Sequence, residues 1–149
     1  MTQDTPLARR RLRTWLRLLR VTRSTENKLR EFLRVDHDTT LPRFDVMAAL
    51  YSNDAPMKMS ELSKRLLVSN GNASTVMNRL EQDGLAQRIQ EKQDRRVVNV
   101  TLTPLGRAQF EEQAKGHEAM VDGIFETLNH EDLDLIRDLL HRAEARQQS

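Results

Sequence analysis

Between residues 60 and 103 the hydrophobic pattern is interrupted once by a turn and then changes from helical to strand periodicity. This sequence of patterns restricts the fold more than any other feature of the chain. Two short helical patterns come first, separated by the sequence VSNG, whose Asn and Gly are typical of a turn. The second pattern ends at Gly84, and two alternating segments follow, Leu85 to Gln90 and Val97 to Thr103, which predict a β-hairpin. Two helices joined by a tight turn and followed by a hairpin predict a winged helix-turn-helix.

Helical patterns also precede this segment. Residues 7–35 carry apolar side chains at helical spacing, with no Gly or Pro between them, and predict one long helix. A short helix follows from Pro42, because proline suits the first turn of a helix. We expect a brief strand at residues 57–59 and then Ser60 as the N-cap of the next helix.

Two further helices are predicted after the hairpin. Thr103 is expected to cap a helix that begins at Pro104 and runs to about Leu128. Asn129 or His130 is expected to interrupt it, and the last helix then carries a leucine stripe.

These elements predict a mainly α fold with a small β-hairpin wing, in two parts. Residues 42–103 form the winged helix-turn-helix head, and residues 7–35 and 104–148 form a helical dimerisation region. The first and last helices are too apolar to face solvent alone. We therefore expect them to pack on each other or on a partner chain.

Charge is distributed unevenly along the chain, although the net charge of the whole is only +2. Residues 1–35 hold ten Lys and Arg against three acidic residues, a net charge of +7, and residues 108–149 have a net charge of −6. The basic segments indicate a polyanionic partner. The acidic tail can pack on the basic first helix, either within a chain or between chains.

Composition argues against several classes of function. The chain has no cysteine, which excludes disulfides, thiol-based redox sensing and thiolate metal sites. The four histidines are far apart in sequence, so we expect no metal site. No nucleophile motif or phosphate-binding Gly-rich loop is present, so we expect neither enzymatic activity nor a cofactor. No run approaches the roughly 20 apolar residues of a membrane helix, and the first residues lack a signal peptide, so we expect a cytoplasmic protein without a membrane partner.

The second short helix carries the side chains expected of a helix that enters the DNA major groove. Its N-terminal half is rich in short hydrogen-bonding residues, and its N-terminus favours phosphate oxygens. The residues of the helix-turn-helix that we expect to contact DNA are Ser60, Lys64, Ser69, Asn70, Asn72, Ser74, Thr75, Asn78 and Arg79. Asn and Ser also favour caps and turns for local reasons, and this alternative stays open for Ser69, Asn70 and Gly71.

The hairpin tip, EKQDRR, is the second candidate for DNA contact, through Lys92, Arg95 and Arg96. A wing that reaches the minor groove needs an arginine, because a narrow groove concentrates negative potential. Asp94 is expected to brace a guanidinium or to cap the turn, which would fix the direction of the arginine. The alternative is a charged loop that is simply solvated.

Two stretches, VSNGNASTVMNRLEQDGL and DRRVVNVTLTPLGR, resemble the corresponding parts of the MarR family of transcription regulators. The wing signature D-x-R of that family is matched by Asp94 and Arg96. Its R-L-E-x-x-G-L pattern is matched by residues 79–85, and its L-T-x-x-G pattern by residues 102–106. The order of elements agrees over residues 7–148.

The resemblance implies an obligate homodimer, joined by the first and the last two helices, that binds a pseudo-palindromic DNA operator. It also implies that Arg96 approaches the minor groove and is braced by Asp94. Repression is the commoner mode of the family. An alternative from another class is a winged helix used for protein interaction without specific DNA binding. Steep weakening of duplex binding by salt distinguishes the two.

Members of the family commonly release DNA when a small anionic, often aromatic, ligand binds between the dimer helices and the head. The stretch TLPRFDVMAAL, together with LLVSNGN, resembles members that sense aromatic acids or their coenzyme A thioesters. The residues expected to border the effector position of the family are Trp15, Leu19, Phe44, Met47 and Tyr51, with Arg17, Arg20, His37 or Arg43 as partners of an anion. The alternative is that the aromatic residues belong to the core and the arginines to a solvated face.

Overall fold

The structure is a computed structural model that describes residues 6–149. The first five residues, on which the expectation about a signal peptide partly rests, lie outside the described residues. Within the described part of the chain, the elements are α1 Leu7–His37, α2 Leu41–Tyr51, β1 Met57–Lys58, α3 Met59–Leu66, α4 Asn70–Gln82, β2 Ala86–Gln90, β3 Val98–Leu102, α5 Pro104–Ile124 and α6 His130–Gln147. This order confirms the predicted fold class, mainly α with a small β wing.

The three strands form one antiparallel sheet in the order β1-β3-β2. β2 and β3 make the predicted hairpin, in which Ala86 lies opposite Leu102 and Gln90 lies opposite Val98. β1 adds a short third strand through Met57, which lies opposite Val100. The alternation of β3 turns Val100 and Leu102 towards the core, and both are buried.

The chain divides into two compact units, one ending at His117 and the other running from Glu118 to Ser149. The core of the first unit is built from α2, α3, α4 and the sheet, with the C-terminal end of α1 and with Phe110 from the first half of α5. Its most deeply buried side chains are Leu33, Met47, Met57, Leu62, Met77, Leu80, Val46 and Val100. In the second unit, α6 has no buried side chain, and its leucine stripe is exposed.

The prediction that Ser60 caps α3 was wrong. The strand β1 leads directly into the helix, which begins at Met59, so that Lys58 occupies the capping position in an extended conformation. Ser60 lies inside the first turn and is exposed. Its hydroxyl is therefore not used to cap the helix.

The end of α5 also differs from the prediction. The helix ends at Ile124, four residues before Leu128. Asn129 and Asp132 form a capping box that begins α6, with each side chain accepting a hydrogen bond from the backbone N–H of the other, at 2.9 and 3.0 Å. A reciprocal cap satisfies two orphan donors at the start of a helix and so fixes where α6 begins.

The junction between the hairpin and α5 explains the glycine of the L-T-x-x-G pattern. Thr103 caps α5 as predicted: its hydroxyl accepts a hydrogen bond from the N–H of Gly106 at 3.1 Å. The same hydroxyl donates to the carbonyl oxygen of Gly84 at 2.6 Å. A Cβ on Gly106 would overlap the carbonyl oxygen of Leu85 and lie 2.7 Å from its carbonyl carbon. Only glycine lets α5 begin this close to the base of the wing.

No helix among residues 6–149 combines the length and the hydrophobicity needed to cross a membrane.

Candidate nucleic-acid interface

Helix α4 begins at Asn70, the third residue of the predicted VSNG turn. The hydroxyl of Ser69 accepts a hydrogen bond from the N–H of Asn72 at 3.2 Å, so Ser69 is the N-cap. Asn70 and Gly71 therefore belong to the first helical turn. The local explanation of Ser69 is thus correct, because its side chain satisfies a backbone donor at the helix start.

The buried face of α4 determines which side chains face outward. Ala73, Met77 and Leu80 are at most 1% exposed and anchor the helix in the core. The side chains predicted to contact DNA lie on the other faces, and those that are exposed are Asn70, Asn72, Thr75, Asn78 and Arg79. The inward stripe therefore presents a polar outer face, as a helix in the major groove requires.

Thr75 shows how α4 tolerates a residue of low helix propensity. Its hydroxyl donates a hydrogen bond to the carbonyl oxygen of Gly71, one turn earlier, at 3.0 Å. Such a bond to the preceding turn satisfies the hydroxyl within the helix.

The tip of the wing holds Asp94 and Arg96 in a fixed arrangement. One carboxylate oxygen of Asp94 accepts hydrogen bonds from the backbone N–H of Arg96 at 3.0 Å and from its Nε at 3.1 Å. The other carboxylate oxygen accepts from Nη2 of Arg96 at 3.4 Å. These hydrogen bonds hold the pKa of Asp94 below its usual range. Asp94 thus both caps the turn and braces the guanidinium, the two interactions expected from the sequence.

Arg96 remains accessible despite this brace. Its side chain is 92% exposed, and Lys92 and Arg95 beside it are also exposed. Three cations therefore project from the tip, and the direction of one of them is fixed. An oriented guanidinium loses less conformational entropy when it meets an anion.

The wing and the helix-turn-helix enclose a cleft of about 590 Å³. It is bordered by several residues predicted to contact DNA, among them Ser60, Asn70, Ser74 and Arg96. Lys64 is exposed on α3 but does not border this cleft. The structure thus brings the start of α3, the first turns of α4 and the wing arginine to one surface.

Arg88, in β2, is a residue of this surface that the sequence reasoning missed. It donates to Ser74 and pairs with Glu81, so it connects the wing to α4. A signal was present: Arg88 shares the sheet face of buried Ala86 and lies opposite buried Val100. A cation at such a position needs an acidic or polar partner.

The residues predicted to bind an effector lie in three places within the described chain. Trp15, Arg17 and Arg20 are exposed on α1, where Leu19 and Arg20 border a shallow groove on that helix alone. Phe44 and Met47 are buried in the core of the head. The ring of Phe44 stacks on His117 at 4.2 Å, and burial lowers the pKa of that histidine.

The remaining members of this set lie where α1 and α2 meet other helices. His37 and Arg43 border a separate cleft, and Arg43 forms an ion pair with Asp83. The hydroxyl of Tyr51 donates to Glu111 at 3.0 Å, and this hydrogen bond raises the pKa of Tyr51. The single chain does not gather the nine residues into one cavity, and their role in effector binding stays a prediction.

Potential metal ligands are dispersed in the described residues. Between residues 6 and 149, no three side chains of His, Asp or Glu lie close enough together to hold a metal ion.

Comparison with known proteins identifies the family. Residues 39–98 match the sequence pattern that defines the MarR family. An uncharacterised HTH-type transcriptional regulator of Bacillus cereus (strain ZK / E33L) is 31% identical over 127 residues, which cover 85% of this chain and 83% of that protein.

Solved structures agree with this assignment. AbsC, a MarR family transcriptional regulator from Streptomyces coelicolor, superimposes with a TM-score of 0.80 at 27% identity, over 91% of this chain and 93% of AbsC. A mutant MarR from E. coli, solved in complex with operator DNA, shares the fold with a TM-score of 0.79 at 23% identity, over 93% and 99% of the two chains. The protein described here therefore belongs to the MarR family and is a DNA-binding, helix-turn-helix transcription regulator.

Proposed function

We propose that this protein binds a pseudo-palindromic duplex as a homodimer, with α4 in the major groove and Arg96 in the adjacent minor groove. The observation that carries the proposal is the braced, 92% exposed Arg96 on the same cleft as the polar face of α4. Binding to a major groove and the adjacent minor groove requires a recognition helix and an oriented arginine on one surface. The remaining wing cations, Lys92 and Arg95, then neutralise phosphates.

The homodimer is supported by the apolar side chains that the single chain leaves exposed. On α1, Leu12, Trp15 and Leu16 are each about half exposed, and α6 exposes five Leu and Ile side chains. A contiguous apolar stripe of this kind marks an interaction surface. We infer that a second copy covers both stripes, and that the opposite charges of the first and last segments favour this pairing.

Dimer geometry gives the first test. In a dimer, two heads read half-sites about one helical turn, or about 34 Å, apart on one face of the DNA. The probe is a fluorescein-labelled duplex whose sequence the protein selects from a randomised pool. We expect two chains per duplex. We also expect an insertion of half a helical turn between the half-sites to weaken binding at least about tenfold, because one head then faces away from its site.

A matched control keeps the duplex length constant. The same number of base pairs added outside the half-sites is expected to leave the affinity unchanged. Equal binding of both duplexes, or one chain per duplex, would rule out the proposed dimeric reading.

We further infer that the protein is a repressor released by a small anionic aromatic ligand. The support is the cleft that His37 and Arg43 border together with Asp38, Asp83 and Glu112. Separately, Nε of Arg43 is buried and has no hydrogen-bond partner among the described residues. A buried donor without a partner favours an acceptor such as a carboxylate. Aromatic acids and aromatic acyl-CoA thioesters provide carboxylate or phosphate acceptors next to an apolar ring.

A release assay tests the effector. Salicylate, benzoate, phenylacetate and benzoyl-CoA are added to the protein bound to the labelled duplex. At least one of them is expected to lower the bound fraction, and Arg43→Gln is expected to lose this response while it still binds the duplex. Free acetate, which has no aromatic ring, and free coenzyme A, which lacks the aromatic acyl group, serve as controls. No release across the panel, or an unchanged response of Arg43→Gln, would refute this assignment.

A further inference from the structure

Arg88, in strand β2 of the wing, contacts helix α4 through both its side chain and its backbone. Its Nη2 donates to the hydroxyl of Ser74 at 3.1 Å and to the carbonyl oxygen of Ser74 at 3.3 Å. Its Nη1 lies 3.3 Å from one carboxylate oxygen of Glu81, and its backbone N–H donates to the other at 3.0 Å. Four contacts thus join Arg88 to Ser74 and Glu81, which lie about two turns apart on α4.

The environment of Arg88 restricts its guanidinium to this position. Its side chain is only 24% exposed, and its neighbours on the sheet, Ala86 and Val100, are buried. Arginine presents its donors in a rigid planar fork, so two partners at different sides of the fork fix both its position and its angle. A lysine ammonium is a point charge on a flexible stem and has no such geometry.

The contacts of Arg88 lie beside the proposed DNA surface. Ser74, Arg88 and Arg96 all border the same cleft. Arg96 sits at the free end of a two-stranded hairpin, where a small rotation of the strands moves the tip by a large distance. A fixed contact midway along β2, at Arg88, limits that rotation.

We propose that Arg88 is a positioning residue, which sets the distance and angle between α4 and the wing so that both engage DNA at once. It acts through Ser74 and Glu81 rather than by touching DNA. The inference rests on the proposed function, since it requires α4 and Arg96 to bind neighbouring grooves.

Charge-preserving and charge-removing variants separate this role from a direct phosphate contact. Binding of the selected, fluorescein-labelled duplex is measured for Arg88→Lys and Glu81→Gln. Arg88→Lys is expected to weaken binding at least about fivefold, although the charge is kept. Glu81→Gln is expected to weaken binding as well, although it removes a negative charge near DNA, where simple electrostatics predicts tighter binding.

A matched control makes the same substitution at an arginine with similar partners elsewhere. Arg30, on α1, pairs with Glu26 at 3.2 Å and donates to Asn27 at 3.0 Å. Arg30→Lys is expected to bind the duplex within about twofold of the unmodified protein, because the hydrogen bonds of that half-exposed arginine stay within α1 and connect no two elements. Circular dichroism and thermal melting establish that every variant is folded at the assay temperature.

A double-mutant cycle with Arg96→Ala measures the coupling between the two substitutions in duplex affinity, which a general loss of stability would not change. If Arg88 positions the wing, Arg96→Ala weakens binding strongly in the unmodified protein and less than about threefold in the Arg88→Lys background. Additive effects of the two substitutions would overturn the proposal. So would unchanged binding by Arg88→Lys, or tighter binding by Glu81→Gln.

The cycle also separates this inference from the function on which it rests. If Arg96→Ala alone does not weaken binding, the proposed wing contact fails and the positioning role fails with it. If Arg96→Ala weakens binding and Arg88→Lys does not, only the positioning role of Arg88 is refuted.

Discussion

Replacing Gly106 with alanine is expected to lower the free energy of unfolding by about 3 kcal/mol or more. A Cβ at this position overlaps the carbonyl oxygen of Leu85 and approaches its carbonyl carbon to 2.7 Å. Both atoms belong to the backbone, so no side-chain rotation relieves the overlap. The start of α5 or the base of the wing has to move, which weakens the hydrogen bonds that Thr103 makes at 2.6 and 3.1 Å.

Urea unfolding, followed by circular dichroism at one fixed chain concentration, measures this effect. Gly71→Ala is the matched control, because a Cβ there meets only the Ser69 hydroxyl oxygen, at 3.9 Å. Since alanine has the higher helix propensity, this control is expected to be neutral or stabilising by up to about 1 kcal/mol. An unfolding free energy for Gly106→Ala equal to that of the control would show that the close contact at Leu85 is not required.

Replacing Arg96 with alanine is expected to weaken operator binding by about 1–3 kcal/mol without disturbing the fold. The side chain is 92% exposed, and among residues 6–149 its hydrogen bonds are to Asp94, within the tip. Its loss therefore removes the proposed minor-groove contact and leaves the core intact. Fluorescence anisotropy of the labelled duplex measures the affinity, and a melting curve checks the fold. Affinity equal to that of the unmodified protein would refute the wing contact.

Asp94→Ala tests whether Asp94 orients Arg96 or affects DNA binding only through its negative charge. Removal of a negative charge near DNA should tighten binding if only the net charge matters. We expect weaker binding instead, because Arg96 loses the carboxylate that fixes its direction. Glu91→Gln is the matched control: it also removes a wing charge, but the amide keeps an acceptor for Asn99, which donates to Glu91 at 3.3 Å. That control is not expected to weaken binding.

The order of the elements was predictable because each boundary has a local cause. Gly84 adopts a φ of 74°, which glycine reaches without strain, so it ends α4 where the sequence indicates. The alternation of β3 fixes which of its side chains are buried, because neighbouring residues in a strand point to opposite faces. The contact between Asp94 and Arg96 was also predictable, since an Asp two residues before an Arg can reach both the backbone N–H and the guanidinium of that Arg.

The errors arose where one local signal competed with another. Ser60 is a favourable capping residue, but Met57 and Lys58 pair with β3, and the chain then enters α3 before it reaches Ser60. The predicted end of α5 at Leu128 came from extending its apolar pattern, whereas the helix ends at Ile124 and α6 starts at the capping box of Asn129 and Asp132. A cap in the following element is easily overlooked when a helical pattern is extended by periodicity alone.

The contacts of Arg88 were hidden because they join residues 7 and 14 positions apart across two elements. Sequence periodicity places Arg88 on a face of the sheet but does not identify the partner on α4. In the effector set, Phe44 and Met47 are core residues of the head, as aromatic and Met side chains at helical spacing commonly are. Arg43, by contrast, combines an ion pair with a buried donor, which only the folded arrangement reveals.

The salt dependence of duplex binding tests the central claim most directly. Lys and Arg that contact phosphates release bound counterions, so the logarithm of the binding constant falls linearly with the logarithm of salt concentration. For a dimer with several phosphate contacts per chain, we expect the affinity for the selected duplex to fall about a thousandfold between about 50 and about 200 mM salt. Lys92→Ala, which removes a cation proposed to neutralise a phosphate, is expected to reduce the slope by about 1 per chain. A slope near zero, or no duplex binding at low salt, would contradict this account and favour a winged helix that binds another protein.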